Sequence, residues 1–259
     1  MRIDVPQAAL SFGFMNQPVG THTSRTIMLS ELTSLLEAVA RDGSYLDYQK
    51  AAIVLNAVHK GSASTREKTF RHLRELYALS PDVAVFAGLR AVWQDAGPGR
   101  PLLAGICAVA RDPLLRSTVD AILRLNHGQE ITPGELAAAV QEAFPGQHGG
   151  TVTARIGRNV AASWKHAGLL EGRATKRRIQ PQVTPATAAY ALYLAHLCGA
   201  RGDGLFSSLW ARMLDTSISD LRTLASVAAR QGWLEYRESG TVTDVTFRHF
   251  DSLGAGRQQ

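Results

Sequence analysis

The sequence predicts a mainly α-helical protein, a helix-turn-helix bundle with winged-helix units that carry small β-hairpin wings. Three observations predict it. Apolar residues recur at helical spacing along most of the chain, and with aromatic residues at only 7% the apolar set is dominated by Ala and Leu, which favour helix over strand. Residues 161–171 read AASWKHAGLLE and residues 225–235 read ASVAARQGWLE, so a helix-ending glycine is twice followed by an apolar pair and Glu. A hairpin pattern comes after each, as in a wing docked on a helix. Positive charge, finally, is gathered around the first of these repeats.

Residues 1–26 show no helical period, and Leu10, Phe12 and Phe14 alternate as in a short strand or a packing tail. Ser30 is expected to cap a helix through Arg41, with Leu32, Leu35, Leu36 and Val39 inward. A second helix is expected over 45–59, then a turn at Lys60-Gly61-Ser62. The third helix runs to Leu79, capped by Ser64 or Thr65, with Glu67 placed after Ser64 as in a capping box. Helical segments follow at 82–95 and 101–126, the latter broken at Asp112-Pro113, where Asp before Pro is an N-cap pattern.

A different block starts at Gln129. It reads as a helix from Thr132-Pro133 to Phe144, a Gly-rich loop over 145–150, a helix over 151–167 and a strand at 169–171. A basic turn over 172–178 leads to a returning strand over 179–184. Apolar helices at 186–199 and 205–214 come next, then a helix at 219–231, a strand at 233–236, a turn at Ser239-Gly240 and a strand over 242–247. The expected segments are 1–128, helical with a helix-turn-helix; 129–185, a basic winged helix; and 186–259, a second winged-helix-like unit.

The net charge of +6 and the pI of about 9.6 point to polyanionic partners. Residues 151–178 hold Arg155, Arg158, Lys165, Arg173, Lys176, Arg177 and Arg178 against Glu171 alone, which accounts for the whole excess. Thr151 and Thr153 stand at the start of the same helix. A recognition helix in the major groove with a basic wing on the flanking backbone uses both sets, so these nine residues are the expected contacts to double-stranded DNA. Ser62, Arg66, Lys68 and Arg71, at the start of the third helix, form a second expected contact region, where free N–H groups favour anions. Thr69 is placed with Ser62 and Arg66 as able to approach base edges. The C-terminal unit carries mixed charge (Asp220, Arg222, Arg230, Glu235, Arg237, Glu238, Asp244) and reads as a packing or partner-binding unit.

Enzymatic signatures are not found. The chain has no GxxxxGK[ST] loop, no GxGxxG, no HExxH and no GxSxG. Its eight histidines are scattered, and Cys107 and Cys198 read as buried thiols in a reducing compartment. No cofactor and no metal are expected. No apolar run reaches the roughly 18 residues of a membrane span, and no basic-then-apolar leader opens the sequence, so a cytoplasmic protein without a membrane partner is expected.

The first part of the chain resembles the BrxA family of bacteriophage-exclusion (BREX) defence systems. The resemblance lies in Leu10 to Phe14, Asn56-Ala57-Val58, Ser62-Ala63-Ser64-Thr65-Arg66, the Leu89 to Trp93 stretch, Arg111-Asp112-Pro113-Leu114-Leu115, and Ser163-Trp164 with Gly168-Leu169-Leu170. It spans residues 10–185 and has no counterpart over 186–259. It implies an accessory, non-catalytic DNA-binding role in phage defence, beside other defence proteins. Two other readings compete: an adaptor that binds proteins of a defence complex, and a sequence-specific transcription regulator.

Overall fold

The computed structural model describes residues 2–18, 20–240 and 242–255, so Met1 and the last four residues of the third expected segment lie outside the described residues. The fold is mainly helical, with two small antiparallel sheets. No described helix is long and apolar enough to cross a membrane.

The lead-in is a packing tail and not a strand. Gln7–Phe12 is a 3-10 helix closed by Gly13 at φ 99°, and Thr21–Thr23 is another. Phe14 is buried against Trp210, with ring centroids 5.4 Å apart. Arg116, with no exposed surface, fastens the tail by donating to the carbonyls of Ile3 and Met15 and to Asn16 Oδ1.

Helix α1 (Leu29–Ala38) starts one residue before the expected cap Ser30; its entry residue is buried Met28 at φ 51°. Burial of that side chain, and not a hydroxyl cap, sets the entry. Helix α2 (Tyr45–Ile53) has a capping box between Ser44 and Asp47. It ends six residues before the expected boundary at 59, because Asn56 and His59 take left-handed backbone at φ 56° and 53°. Helix α3 (Ala63–Tyr77) is capped by Ser62, whose Oγ accepts from Thr65 N, and not by Ser64 or Thr65.

Helices α4 (Ala84–Val92), α5 (Arg100–Arg111), α6 (Pro113–Arg116) and α7 (Val119–Leu123) follow. The break between α5 and α6 falls at Asp112-Pro113, and the Asp112 carboxylate accepts from Leu114 N at 2.9 Å. Strand β1 (Glu130–Ile131) comes next, then α8 (Pro133–Ala143), α9 (Gly150–His166), β2 (Leu170–Glu171) and β3 (Lys176–Arg178). The sheet order is β1-β3-β2, all antiparallel. Thr132 and Glu135 form a capping box on α8. The returning strand thus lies inside the expected turn, over 176–178 and not 179–184, because the turn needs only the four residues 172–175. β1 has no sequence signal, since two residues carry no period.

Helix α10 (Pro185–Leu197) is buried nearly all round, packed on α4, α5 and two later elements, α11 (Leu209–Arg212) and α12 (Ile218–Arg230). A helix apolar on every face belongs in a core. Strands β4 (Glu235–Ser239) and β5 (Val242–Thr246) form the second sheet, and α13 (Arg248–Ala255), which the sequence does not announce, packs on α4. Buried side chains from Val5 to Phe250 form one contiguous cluster, so residues of all three expected segments share one core.

The internal repeat is geometric as well as textual. Gly168 and Gly232 both take left-handed backbone, at φ 81° and 80°. Leu169 N donates to Trp164 O at 3.0 Å, and Trp233 N donates to Ala228 O at 3.2 Å. Both helices close with the same six-to-one bond before handing the chain to a hairpin.

Candidate nucleic-acid interface

Helix α9 has one buried face, formed by Ile156, Gly157, Val160, Ala161, Ser163 and Trp164. It packs closely on α8: a Cβ on Gly157 would stand 2.2 Å from Pro133 O and 2.7 Å from Ala137 Cβ. Only glycine admits that approach. With the buried face fixed, the 3.6-residue period leaves Thr151, Arg155, Arg158 and Lys165 in one exposed stripe. No carboxylate interrupts it. At the end of the stripe the chain turns through Gly168 into β2 and the 172–175 turn, which exposes Arg173, while exposed Arg177 follows on β3.

Two cations expected on the wing face inward instead. Arg178 is 1% exposed. Its guanidinium reaches Asp215 Oδ2 at 2.7 Å and donates to the carbonyls of Leu169 and Ile179. It therefore joins β3 to the turn between α11 and α12, and its charge is spent there. Lys176 is 8% exposed, and its Nζ donates to Gly172 O at 3.1 Å and to Arg173 O, closing the hairpin turn. The strand pleat explains both: in β3, residues 176 and 178 point to the core face and 177 to solvent. Thr153 is half-buried with its hydroxyl committed to Gly149 O at 3.2 Å. These three are corrections to the expected contact set. Arg177 meets Glu130 Oε1 at 3.4 Å, an exposed pair of little strength.

Cations crowd the C-terminal end of α9. Burial first, and the Lys165 charge second, hold the Lys176 ammonium below its ordinary pKa. Burial and then Lys165 do the same to His166. Like charges held together in this way gain from an added anion.

The second expected region is less open. Nine residues, 54–62, separate α2 from α3, longer than the three- or four-residue turn of a helix-turn-helix. Ser62 is exposed but occupied as the cap. Thr69 is buried at 1% exposure, which removes it from any base edge. Arg66 is half-buried, Lys68 is exposed, and exposed Arg71 stands 3.9 Å from Glu75. Glu31, bound to Lys60 Nζ at 2.8 Å, also lies close enough to His166 for its charge to favour the protonated ring.

In the C-terminal unit several cations are held in ion pairs, while Arg230 and Arg237 are exposed. Arg222 bonds Asp203 at 2.7 Å and Glu238 at 2.5 Å and lies over the Phe206 ring. Arg248 meets Glu235 at 3.4 Å and Arg212 meets Asp120 at 3.1 Å.

One polar constellation has no local sequence signal. His22 Nδ1 lies 2.5 Å from Asp112 Oδ2, and His22 Nε2 lies 2.8 Å from Ser163 Oγ, all three residues being fully buried. Aspartate, histidine and serine in this order suggest a nucleophile, but the surroundings assign a clamp. The Ser163 hydroxyl donates to Asn159 O at 2.8 Å and accepts from Ile27 N at 3.1 Å. Its proton is thus directed away from His22, and no surface leads to its oxygen. Burial alone would raise the Asp112 pKa; the His22 charge, its hydrogen bond and backbone N–H donors together outweigh that and hold it below the ordinary carboxylate value. The clamp seats the 21–23 turn between the α5–α6 corner and α9, and so orients the basic helix. Among the described residues, no group of three or more His, Cys, Asp or Glu side chains is placed to hold a metal ion.

No family model matches the chain, and no curated protein or solved structure matches it either.

Proposed function

We propose that the protein binds double-stranded DNA without catalysing a reaction on it, using α9 as a recognition helix and the β2–β3 turn as a wing. The carrying observation is the unbroken exposed stripe of Thr151, Arg155, Arg158 and Lys165, continued by Arg173 and Arg177. The element order supports the reading. A helix, a short strand, two helices and a hairpin, with β3 between β1 and β2, follow the layout of a winged helix. The unit built on α10, α11, α12 and the β4–β5 hairpin repeats that layout without the first strand. Its mixed charge, with Arg222 held between Asp203 and Glu238, favours a scaffold over a second DNA contact. The resemblance of residues 10–185 to the BrxA family extends the proposal to an accessory role in phage defence.

The test is fluorescence anisotropy with random-sequence duplex DNA over a salt series. Arg155, Arg158, Lys165, Arg173 and Arg177 all engaging phosphate would give a slope of log K against log salt near about −4.5. Binding with a steep slope supports the reading. No binding at low salt overturns it and leaves the adaptor role, which a nuclease-resistant pull-down with other defence proteins tests.

A further inference from the structure

A cavity of about 260 Å³ lies far in sequence from the basic helix, between the end of α1, helix α2, helix α4 and the C-terminal α13. Its walls are mostly apolar, with Phe86, Ala87 and Leu253 among them. Two arginines and one aspartate also line it: exposed Arg41 and Asp42, and buried Arg90 beside buried Tyr48.

Arg90 is the decisive residue. It is only 5% exposed, and two of its three nitrogens are satisfied: Nε donates to Tyr48 Oη at 3.1 Å and Nη2 to Val39 O at 2.9 Å. The third, Nη1, is buried with no hydrogen-bond partner. A buried guanidinium with one nitrogen unpartnered is an under-compensated charge, and an anion in the adjoining cavity would stabilise it. Arg41, held by Nη2 on Ala91 O at 2.7 Å, places a second guanidinium at the same cavity. Two guanidinium groups against the Asp42 carboxylate leave the lining one positive charge. That balance suits a singly charged anion better than a doubly charged phosphate. The apolar walls require the rest of the ligand to be hydrocarbon.

We propose that this cavity is a binding site for a small monocarboxylate with an apolar body, its carboxylate paired with the Arg41 and Arg90 guanidinium groups and its hydrocarbon part packed on Phe86, Ala87 and Leu253. The site does not depend on the DNA-binding reading, since none of its residues lies on α9 or the β2–β3 turn.

The probes are phenylacetate, benzoate and hexanoate, with phenylacetamide as the uncharged isostere, titrated into the full chain and followed by backbone amide NMR. Saturable shifts centred on Phe86, Ala87, Arg90 and Ala91 are expected for at least one carboxylate. Phenylacetamide should bind roughly tenfold or more weakly than phenylacetate, as loss of a charged hydrogen bond requires. Ala87→Leu fills the space without touching an arginine and should abolish the shifts. Arg90→Gln should do the same, provided it keeps the native spectrum. Equal affinity for phenylacetamide, shifts confined to the basic stripe of α9, unchanged binding in Ala87→Leu, or no response to any of the three carboxylates would overturn the assignment.

Discussion

His22 and Asp112 stand 90 positions apart in the chain and meet in the core with Nδ1 2.5 Å from Oδ2. Ser163, on the basic helix, closes the set at 2.8 Å. The pair therefore couples the N-terminal tail to the orientation of α9, and removing either partner strands the other in a dry interior.

Asp112→Asn and His22→Gln should each cost about 3–5 kcal/mol, the range for breaking a buried ion pair by removing one partner. Urea unfolding at neutral pH measures it. The pH dependence has a defined sign. The Asp112 carboxyl is held below its ordinary value when folded, so its contribution is complete above the unfolded pKa of roughly 3.9 and is lost as pH falls towards the folded one. Wild-type stability should drop on that acid limb, and Asp112→Asn should flatten it. A parallel drop in the variant would separate the clamp from acid unfolding.

The stripe and the inward wing residues should separate cleanly. Arg155→Gln with Arg158→Gln should leave stability unchanged and reduce the salt slope of DNA binding by about 2. Asp215→Asn should instead lower stability, by roughly 3 kcal/mol, because Arg178 then keeps a buried charge without its carboxylate. Anisotropy and chemical denaturation on the same variants decide between the two roles.

Gly157→Ala should be strongly destabilising although alanine favours helix. Its Cβ would meet the backbone oxygen of Pro133 at 2.2 Å, and backbone cannot swing aside as a side chain can. A loss of about 1–3 kcal/mol is expected, with weaker α8–α9 packing visible as faster amide exchange. Unchanged stability would show that the two helices can separate at no cost.

The two thiols should be inert in the folded protein. Burial pushes Cys107 and Cys198 up to about 11, so at pH 8 both stay protonated and neither is a nucleophile. Ellman's reagent should label them slowly in buffer and promptly in urea. Fast labelling of Cys107 in buffer would contradict its full burial, and fast labelling of half-buried Cys198 would contradict its raised pKa.

Much of the architecture was legible because it is written in local chemistry. Asp112-Pro113 marks a helix break, since proline has no N–H to lose at a helix start. The glycines at 168 and 232 mark helix ends that require left-handed backbone. Other boundaries were lost where tertiary contacts override propensity. The end of α2 is set by left-handed Asn56 and His59, and the start of α1 by buried Met28.

For the site, composition and spacing alone place the excess positive charge in 151–178 and put Arg155, Arg158 and Lys165 on one helix, because charge is additive and helical period is local. Which of these cations remain available depends on how the elements pack. Arg178 and Lys176 turn inward because β1 pairs with β3 and fixes the pleat, and Asp215 arrives from a distant turn to receive the guanidinium. The clamp of His22, Asp112 and Ser163 and the cavity beside Arg90 were invisible for the same reason. Their members come from separate elements, and their proximity is a property of packing, which no stretch of neighbouring residues encodes.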